Sequence, residues 1–413
     1  MIEVNVHTLE NGLRLLHHYN GSTRMVAVNT LYDVGSRDEH IAHTGLAHLM
    51  EHLMFTGSAH VPSFDGALQA AGGECNAWTS CDVTNYYDVL PAHNIETALW
   101  LESDRIANLN LDERSISLQK SVVVEEFKQR YINQPYGDVF HLLHGAAFTV
   151  HPYKWPTIGL HVDDVAQLPV EVVMDFYHRH YCVNNAVMCI AGNIEFGRAV
   201  ELVEKWMGDL PAGPAHTRHL PVEPPQTEPR LVERHAQVPQ NMIFRAYHMC
   251  GRIDRDFQAC DLLSDVLANG TSSRFYRNVV TKGHLFTELD ASVSGFTDPS
   301  LFYVRGALCD GVSFAEAEAA IDAELERLLA GGVSDYEKEK CTNKFLSNDT
   351  FENIGYAEKA TRLCRHELLT EAADINNEVA KYRAVTTQQL GEVAHSLFRP
   401  ENCTTLHYGP GVK

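Results

Sequence analysis

Five consecutive residues, His48-Leu49-Met50-Glu51-His52, put two imidazoles and a carboxylate within little more than one helical turn. At 100° per residue, His48, Glu51, His52 and Phe55 fall within about 100° of arc. Leu46, Leu49, Met50, Leu53 and Met54 cover the opposite arc. Such a helix buries its Leu/Met side and holds two imidazoles one turn apart, the spacing at which both can grip one zinc ion. Glu51, on the same side, is placed to take a proton from an attacking water rather than to bind the metal. The H-x-x-E-H order reverses the H-E-x-x-H order in which helical zinc sites also occur. The chain carries 23 histidines, so a chance match must be weighed. Against chance stands the helix itself, whose three polar residues all occupy its one non-apolar side.

A catalytic zinc takes three protein ligands and keeps a fourth position open. The helical run QKSVVVEEFKQRY offers Glu125 and Glu126, 73 and 74 residues beyond His52. Glu39, His40 and His43 are nearer in sequence, in the loop expected before the helix. Residue chemistry alone does not choose among these five. The pairs His17/His18, His141/His144 and His178/His180 lack a carboxylate in any comparable motif and read as ordinary histidines. The ten cysteines form no C-x-x-C pair, so they read as reduced, mostly buried thiols rather than a closed structural metal site.

The elements that must position this chemistry are legible in outline. A chain of 413 residues exceeds one ordinary core and implies at least two domains. Six of the 16 prolines lie between Pro211 and Pro229, an expected extended linker near the midpoint. The flanking halves repeat one another. Asn185 and Asn402, like Gly192 and Gly409, are 217 residues apart, each preceded by a helix-like stretch, and Tyr32-Asp33-Val34-Gly35 parallels Tyr247-His248-Met249-Cys250. Alternating strand-like segments around Asn-Gly turns are followed by helical periods in both halves. The expected fold class is therefore α+β: two related halves, each a mainly antiparallel sheet with helices packed on one face, joined by the Pro-rich linker. The expected domains are 1–210 (metal-binding), 211–229 (linker) and 230–413 (homologous, without metal).

Composition narrows the function further. Lys plus Arg is 33 against 54 Asp plus Glu, a formal charge of −21, which argues against a nucleic-acid partner. No run of 18 apolar residues occurs, so no membrane partner is expected. The opening residues resemble neither a signal nor a transit peptide, and the expected address is cytoplasmic.

The stretch GSRDEHIAHTGLAHLMEHLMFTGS closely resembles the pitrilysin/insulinase family of zinc metallopeptidases, which includes the half-size chains of the mitochondrial processing peptidase. GGECNAWTSCDVTNYY, QKSVVVEEF, RHYCVNNAVMCIAGNI and NGTSSRFYRNVV match further landmarks, so the resemblance spans nearly the whole chain. It implies one Zn2+ per chain held by His48, His52 and Glu126, with Glu51 as general base and Glu125 a solvated neighbour. It implies that Asn76 and Ala77 lie on an edge strand whose backbone pairs with an extended peptide. Gln119 stands where the family commonly has a second glutamate.

The second half departs more strongly. Aligned on Gly57 and Gly270, the motif becomes Asp261-Leu262-Leu263-Ser264-Asp265, with the apolar pattern kept and every metal group gone. An Arg and a Tyr that help hold the substrate carbonyl in the family correspond to Val280 and Thr287, which cannot replace them as donors. The resemblance thus implies a zinc endopeptidase subunit acting on unfolded peptides or small proteins, in a chamber formed with a related non-zinc chain that supplies the Arg/Tyr pair in a heterodimer. The rival expectation is a non-catalytic peptide-binding or scaffold subunit on the same fold.

Overall fold

A computed structural model describes residues 1–215 and 217–411. His216 of the expected linker and the last two residues of the expected C-terminal domain lie outside them. The chain forms two compact units, and neither is contiguous in sequence. Met1–Lys128, Pro156–Leu220 and Asp349–Glu378 make the first; Gln129–Trp155, Pro221–Asn348 and the described chain from Val379 onward make the second. One junction falls inside the Pro-rich run. The contiguous domains expected at 1–210 and 230–413 do not describe the packing, because each unit takes one segment from the other half of the sequence.

The first unit is built on strands β1 (Asn5–Thr8), β2 (Arg14–Tyr19), β3 (Met25–Tyr32), β4 (Glu74–Thr79), β5 (Thr84–Pro91) and β6 (Ala186–Gly192), in the order β1-β2-β6-β3-β5-β4. Only β2 and β6 run parallel; the other pairs are antiparallel. Strand β6, with the sequence AVMCIAG, is buried at every residue. The period-2 alternation of strands explains why both faces need cover. Even-numbered residues of β3 face helix Ile95–Asn108, where the Thr30 hydroxyl donates to Glu102 Oε2 at 2.8 Å. Odd-numbered Ala27 and Leu31 pack with Leu16, Val187 and Cys189 against Ala360, Leu363 and Cys364. These last three belong to helix Tyr356–Leu369, the segment drawn from the second half of the sequence.

The second unit repeats the plan. Strands β7 (Arg230–Ala236), β8 (Met242–Met249), β9 (Phe286–Val293), β10 (Ser300–Leu308) and β11 (Cys403–Pro410) run in the order β7-β11-β8-β10-β9, with only β7 and β11 parallel. This is the first sheet without its β1. The repeat asparagines do the same work in each unit. Asn185 Nδ2 donates to the carbonyls of His180 (2.8 Å) and Asp33 (3.3 Å); Asn402 Nδ2 donates to those of Leu397 and His248, both at 2.9 Å. Each ties a helix end to the end of an earlier strand, β3 or β8, which pairs with the strand that comes next. The Pro-rich run is anchored rather than free: Arg218 Nε donates to Asp38 Oδ1 at 2.7 Å in the first unit, and Gln226 Nε2 to the Cys403 carbonyl at 2.9 Å in the second.

Helix Val139–Ala147 reaches the second unit from the first half of the sequence and carries His144 into its interior. Nδ1 of His144 donates to the Tyr153 carbonyl at 2.7 Å, so Nε2 accepts from the Tyr303 hydroxyl at 2.6 Å. The ring stacks on Phe140 at a 3.6 Å centroid distance. Burial pushes its pKa down to about 3 from an ordinary 6.5, although the Tyr153 carbonyl pulls the other way. The folded state therefore holds a neutral ring that the unfolded chain protonates below about 6.5. Its contribution to stability is complete above that pH and is lost as pH falls toward 3, at about 1.4 kcal/mol per pH unit. Urea unfolding between pH 7 and 4 is expected to show this loss in the wild type and a shallower loss in His144→Gln; equal slopes would remove His144 as the cause.

Candidate metal centre

Helix Leu46–Leu53 forms on the expected face. Leu46, Leu49, Met50 and Leu53 are buried, while His48, Glu51 and His52 stay half-buried on the other side. The helix starts at Gly45 (φ +85°), and a Cβ there would lie 2.6 Å from Val165 Cγ2 and 2.7 Å from the Ile158 carbonyl oxygen. Only glycine suits that combination of left-handed backbone and close approach.

The second contribution comes from helix Glu113–Phe127. Asp112 opens it by accepting from the Ser115 amide, and Ile116, Val123 and Phe127 bury its inner face. Glu126 sits at the margin of that face, half-buried. Its Oε2 lies 3.3 Å from His52 Nε2 and 3.8 Å from His48 Nε2. One donor atom from each of the three residues lies within 4.8 Å of the others, and among the described residues no other such group of three occurs. Ligands about 2.0–2.1 Å from a zinc ion at tetrahedral angles stand about 3.4 Å apart. The two separations from Glu126 lie near that value, so the two imidazoles and the carboxylate form a candidate zinc site. Glu51 is beside the cluster and outside it, its Oε2 accepting from the Thr79 hydroxyl at 2.5 Å.

The structure separates the other candidates from this cluster. Glu125 is exposed and paired with Lys128 Nζ at 2.7 Å. Glu39 is buried, and its two oxygens accept from the backbone amides of Gly45 and Ala47. His40 is exposed and accepts from the Ala42 amide; His43 is half-buried outside the cluster. Gln119 lies seven residues before Glu126 on the same face of its helix and is half-buried.

Strand β4, with Asn76 opposite Tyr87 and Ala77 opposite Tyr86, is the edge of its sheet. The Asn76 carboxamide oxygen accepts from the Ala77 amide at 2.8 Å, so the side chain covers a main-chain donor that an added strand would need. Beneath β4 and β5, the buried Arg105 guanidinium pairs with Glu102 and lies 4.4 Å from the ring centres of Phe64 and Tyr86. Burial, with Glu102 alongside, pushes the Asp88 carboxyl well above the ordinary carboxylate range. Sequence reading missed this group and the Thr79 contact. The Arg105 group carried one signal: Glu102, Asp104 and Arg105 interrupt the apolar pattern of an otherwise buried helix.

In the second unit, helix Phe257–Leu267 carries the residues aligned with the motif. Asp261 accepts from the Tyr382 hydroxyl at 2.6 Å, and Asp265 pairs with Lys344 at 2.8 Å. Val280 is half-buried against the core of that unit, and Thr287 is exposed on β9, its hydroxyl donating to the Ala307 carbonyl at 3.3 Å.

Two sequence-family models match. Residues 14–160 fit the insulinase model of peptidase family M16, and residues 167–345 fit the model described as the M16 inactive domain. The chain belongs to the pitrilysin/insulinase (M16) family of peptidases. It is 26% identical over 410 residues to the zinc protease PqqE of Helicobacter pylori, covering 98% of this chain and 92% of that protein. A crystal structure of a protease from Helicobacter pylori superposes with a TM-score of 0.92 at 25% identity, over 99% of this chain and 100% of that one. The periplasmic protease PqqL of Escherichia coli shares the fold (TM-score 0.82, 19% identity), and the match covers all of this chain but 48% of that one. No described helix is long and apolar enough to cross a membrane.

Proposed function

We propose that the chain is a zinc-dependent endopeptidase subunit that cleaves unfolded peptides or small proteins, with one Zn2+ held by His48, His52 and Glu126. The observation that carries this reading is the convergence of those three donors, with Glu51 on the same helix face and its carboxylate accepting from Thr79. What zinc supplies in such a seat is Lewis acidity, which polarises the scissile carbonyl and makes water nucleophilic near neutral pH. Glu51 takes the proton from the attacking water and passes it to the leaving amine, and the Thr79 hydroxyl holds its carboxylate in orientation. The exposed margin of β4 at Asn76 and Ala77 receives the peptide as an added strand once the Asn76 carboxamide swings off the Ala77 amide.

Val280 and Thr287 leave one copy without the expected carbonyl-holding donors. Each such donor typically contributes about 2.7–4 kcal/mol to the transition state, a hundredfold or more in rate. A related chain bearing Arg and Tyr at those positions completes the site, in a chamber formed between the two chains. The test is hydrolysis of a quenched, unfolded peptide by the purified chain alone and with the chain that co-purifies from its source. Weak activity alone and at least a hundredfold rise on mixing are expected; full activity alone would remove the heteromeric partner.

The second reading, a non-catalytic scaffold, draws on those same two substitutions and on the match to a model described as inactive. Metal stoichiometry separates the two: a scaffold holds no tight zinc.

A further inference from the structure

We propose that Glu39 is a positioning residue for the metal centre, fixing the first turn of the motif helix and thereby the place of His48. The proposal rests on the reading that His48, His52 and Glu126 hold zinc.

The motif helix is eight residues long, too short to persist by propensity alone. Its first amides have no intrahelical acceptors and need others. The usual source is the N-cap side chain, but that position must be glycine here, and the first turn carries no acid. The carboxylate of Glu39, six residues upstream of Gly45, caps the helix instead. Its Oε2 accepts from the Gly45 amide at 3.0 Å and its Oε1 from the Ala47 amide at 2.8 Å. Its negative charge also suits the positive end of the helix dipole. His48 is the third residue of the helix, within the turn that this carboxylate secures.

Glu39 is itself held from a specific direction. It ends the loop Ser36–Asp38, which is pinned to the turn between β4 and β5. Ser36 N donates to the Ser80 carbonyl at 3.2 Å, Arg37 N to that of Cys81 at 2.9 Å, and the buried Arg37 pairs with Asp82 at 2.9 Å. Gly35 allows the approach, since a Cβ there would meet the Cys81 backbone at 2.5 Å. The same end of β4 carries Thr79, which holds Glu51. One strand end therefore indexes both the start of the metal-bearing helix and the proton-handling acid. Glu39 is the link through which the loop sets the distance from His48 to its partners.

The test uses the full chain and the variants Glu39→Ala, Glu39→Gln and Glu39→Asp. Zinc affinity is read by competition with a chromophoric chelator, and amide hydrogen exchange at residues 45–48 is read in the metal-free chain. Glu39→Ala is expected to weaken zinc binding about 10–100-fold, the range seen when groups supporting metal ligands are removed. It should also speed exchange at Gly45 and Ala47. Glu39→Gln, which keeps one acceptor oxygen, should recover part of both. Glu39→Asp, which keeps the charge but falls one methylene short, should lie between Glu39→Ala and the wild type. In a His48→Ala background the further loss of affinity from Glu39→Ala should shrink to within about twofold, because the effect runs through His48. Wild-type affinity in a folded Glu39→Ala chain, or an equal loss with and without His48, would overturn the proposal. If Glu39→Ala does not fold, unchanged affinity and exchange in Glu39→Gln would overturn it instead. A wild-type chain that binds no zinc defeats the reading of the site, whereas unprotected amides at 45 and 47 in that chain defeat the role of Glu39.

Discussion

Glu51→Gln is expected to leave zinc in place and to lower kcat/KM on an unfolded peptide by about 10²–10⁴-fold. The substitution keeps the size of the side chain and a carbonyl oxygen to accept from Thr79, whose hydroxyl already points at Oε2. It removes a carboxylate on the same helix face as His48 and His52 that takes a proton from water at neutral pH. Because Glu51 is not one of the clustered donors, zinc content and the thermal midpoint should stay close to wild type. Metal analysis on the same sample as the kinetics checks this. A loss of zinc together with activity would make Glu51 a ligand, and retained activity would end its role as base.

The second large effect is expected at Glu126. With only three protein donors, Glu126→Ala leaves two imidazoles and no anionic ligand. If the seat holds zinc with a fraction of the roughly 10–16 kcal/mol measured for structural sites, one donor of three is worth several kcal/mol. Affinity should therefore fall by about 10³-fold or more, and zinc should no longer co-elute with the protein on gel filtration. Glu125→Ala is the control: the same chemical change, one residue away, on an exposed carboxylate paired with Lys128. It should change neither zinc content nor peptidase activity. Equal losses in the two variants would mean that the helix, not the ligand, had been damaged.

How far the site was legible depended on whether its geometry is local. The i, i+4 pair His48/His52 and the flanking Glu51 could be read from periodicity, because one helix sets all three directions. Glu126 could not. Its approach depends on a second helix 60 residues later in the chain, and only resemblance selected it from five candidates. Glu39 looked like a ligand candidate for the right chemical reason and the wrong structural one: a carboxylate near the motif was needed, but by the amides of a glycine-started helix. The strand plan was legible through Asn185 and Asn402, whose matched spacing reflects matched hydrogen bonds. The exchange of 129–155 and 349–378 left no local sign, since those helices satisfy the same apolar periodicity wherever they pack. Sheet faces need cover on both sides, yet nothing in a strand's alternation says which distant helix supplies it.

That exchange has a consequence during synthesis. The last strand of the first sheet, β6, is complete at Gly192, while the helix that shields Leu16, Ala27, Leu31 and Val187 ends at Leu369. At 5–20 residues per second, a ribosome takes on the order of ten to forty seconds to deliver it. Throughout that interval the nascent amino-terminal sheet keeps an oily side open, a natural stopping place for a chaperone and the stage at which a truncated product is most prone to clump.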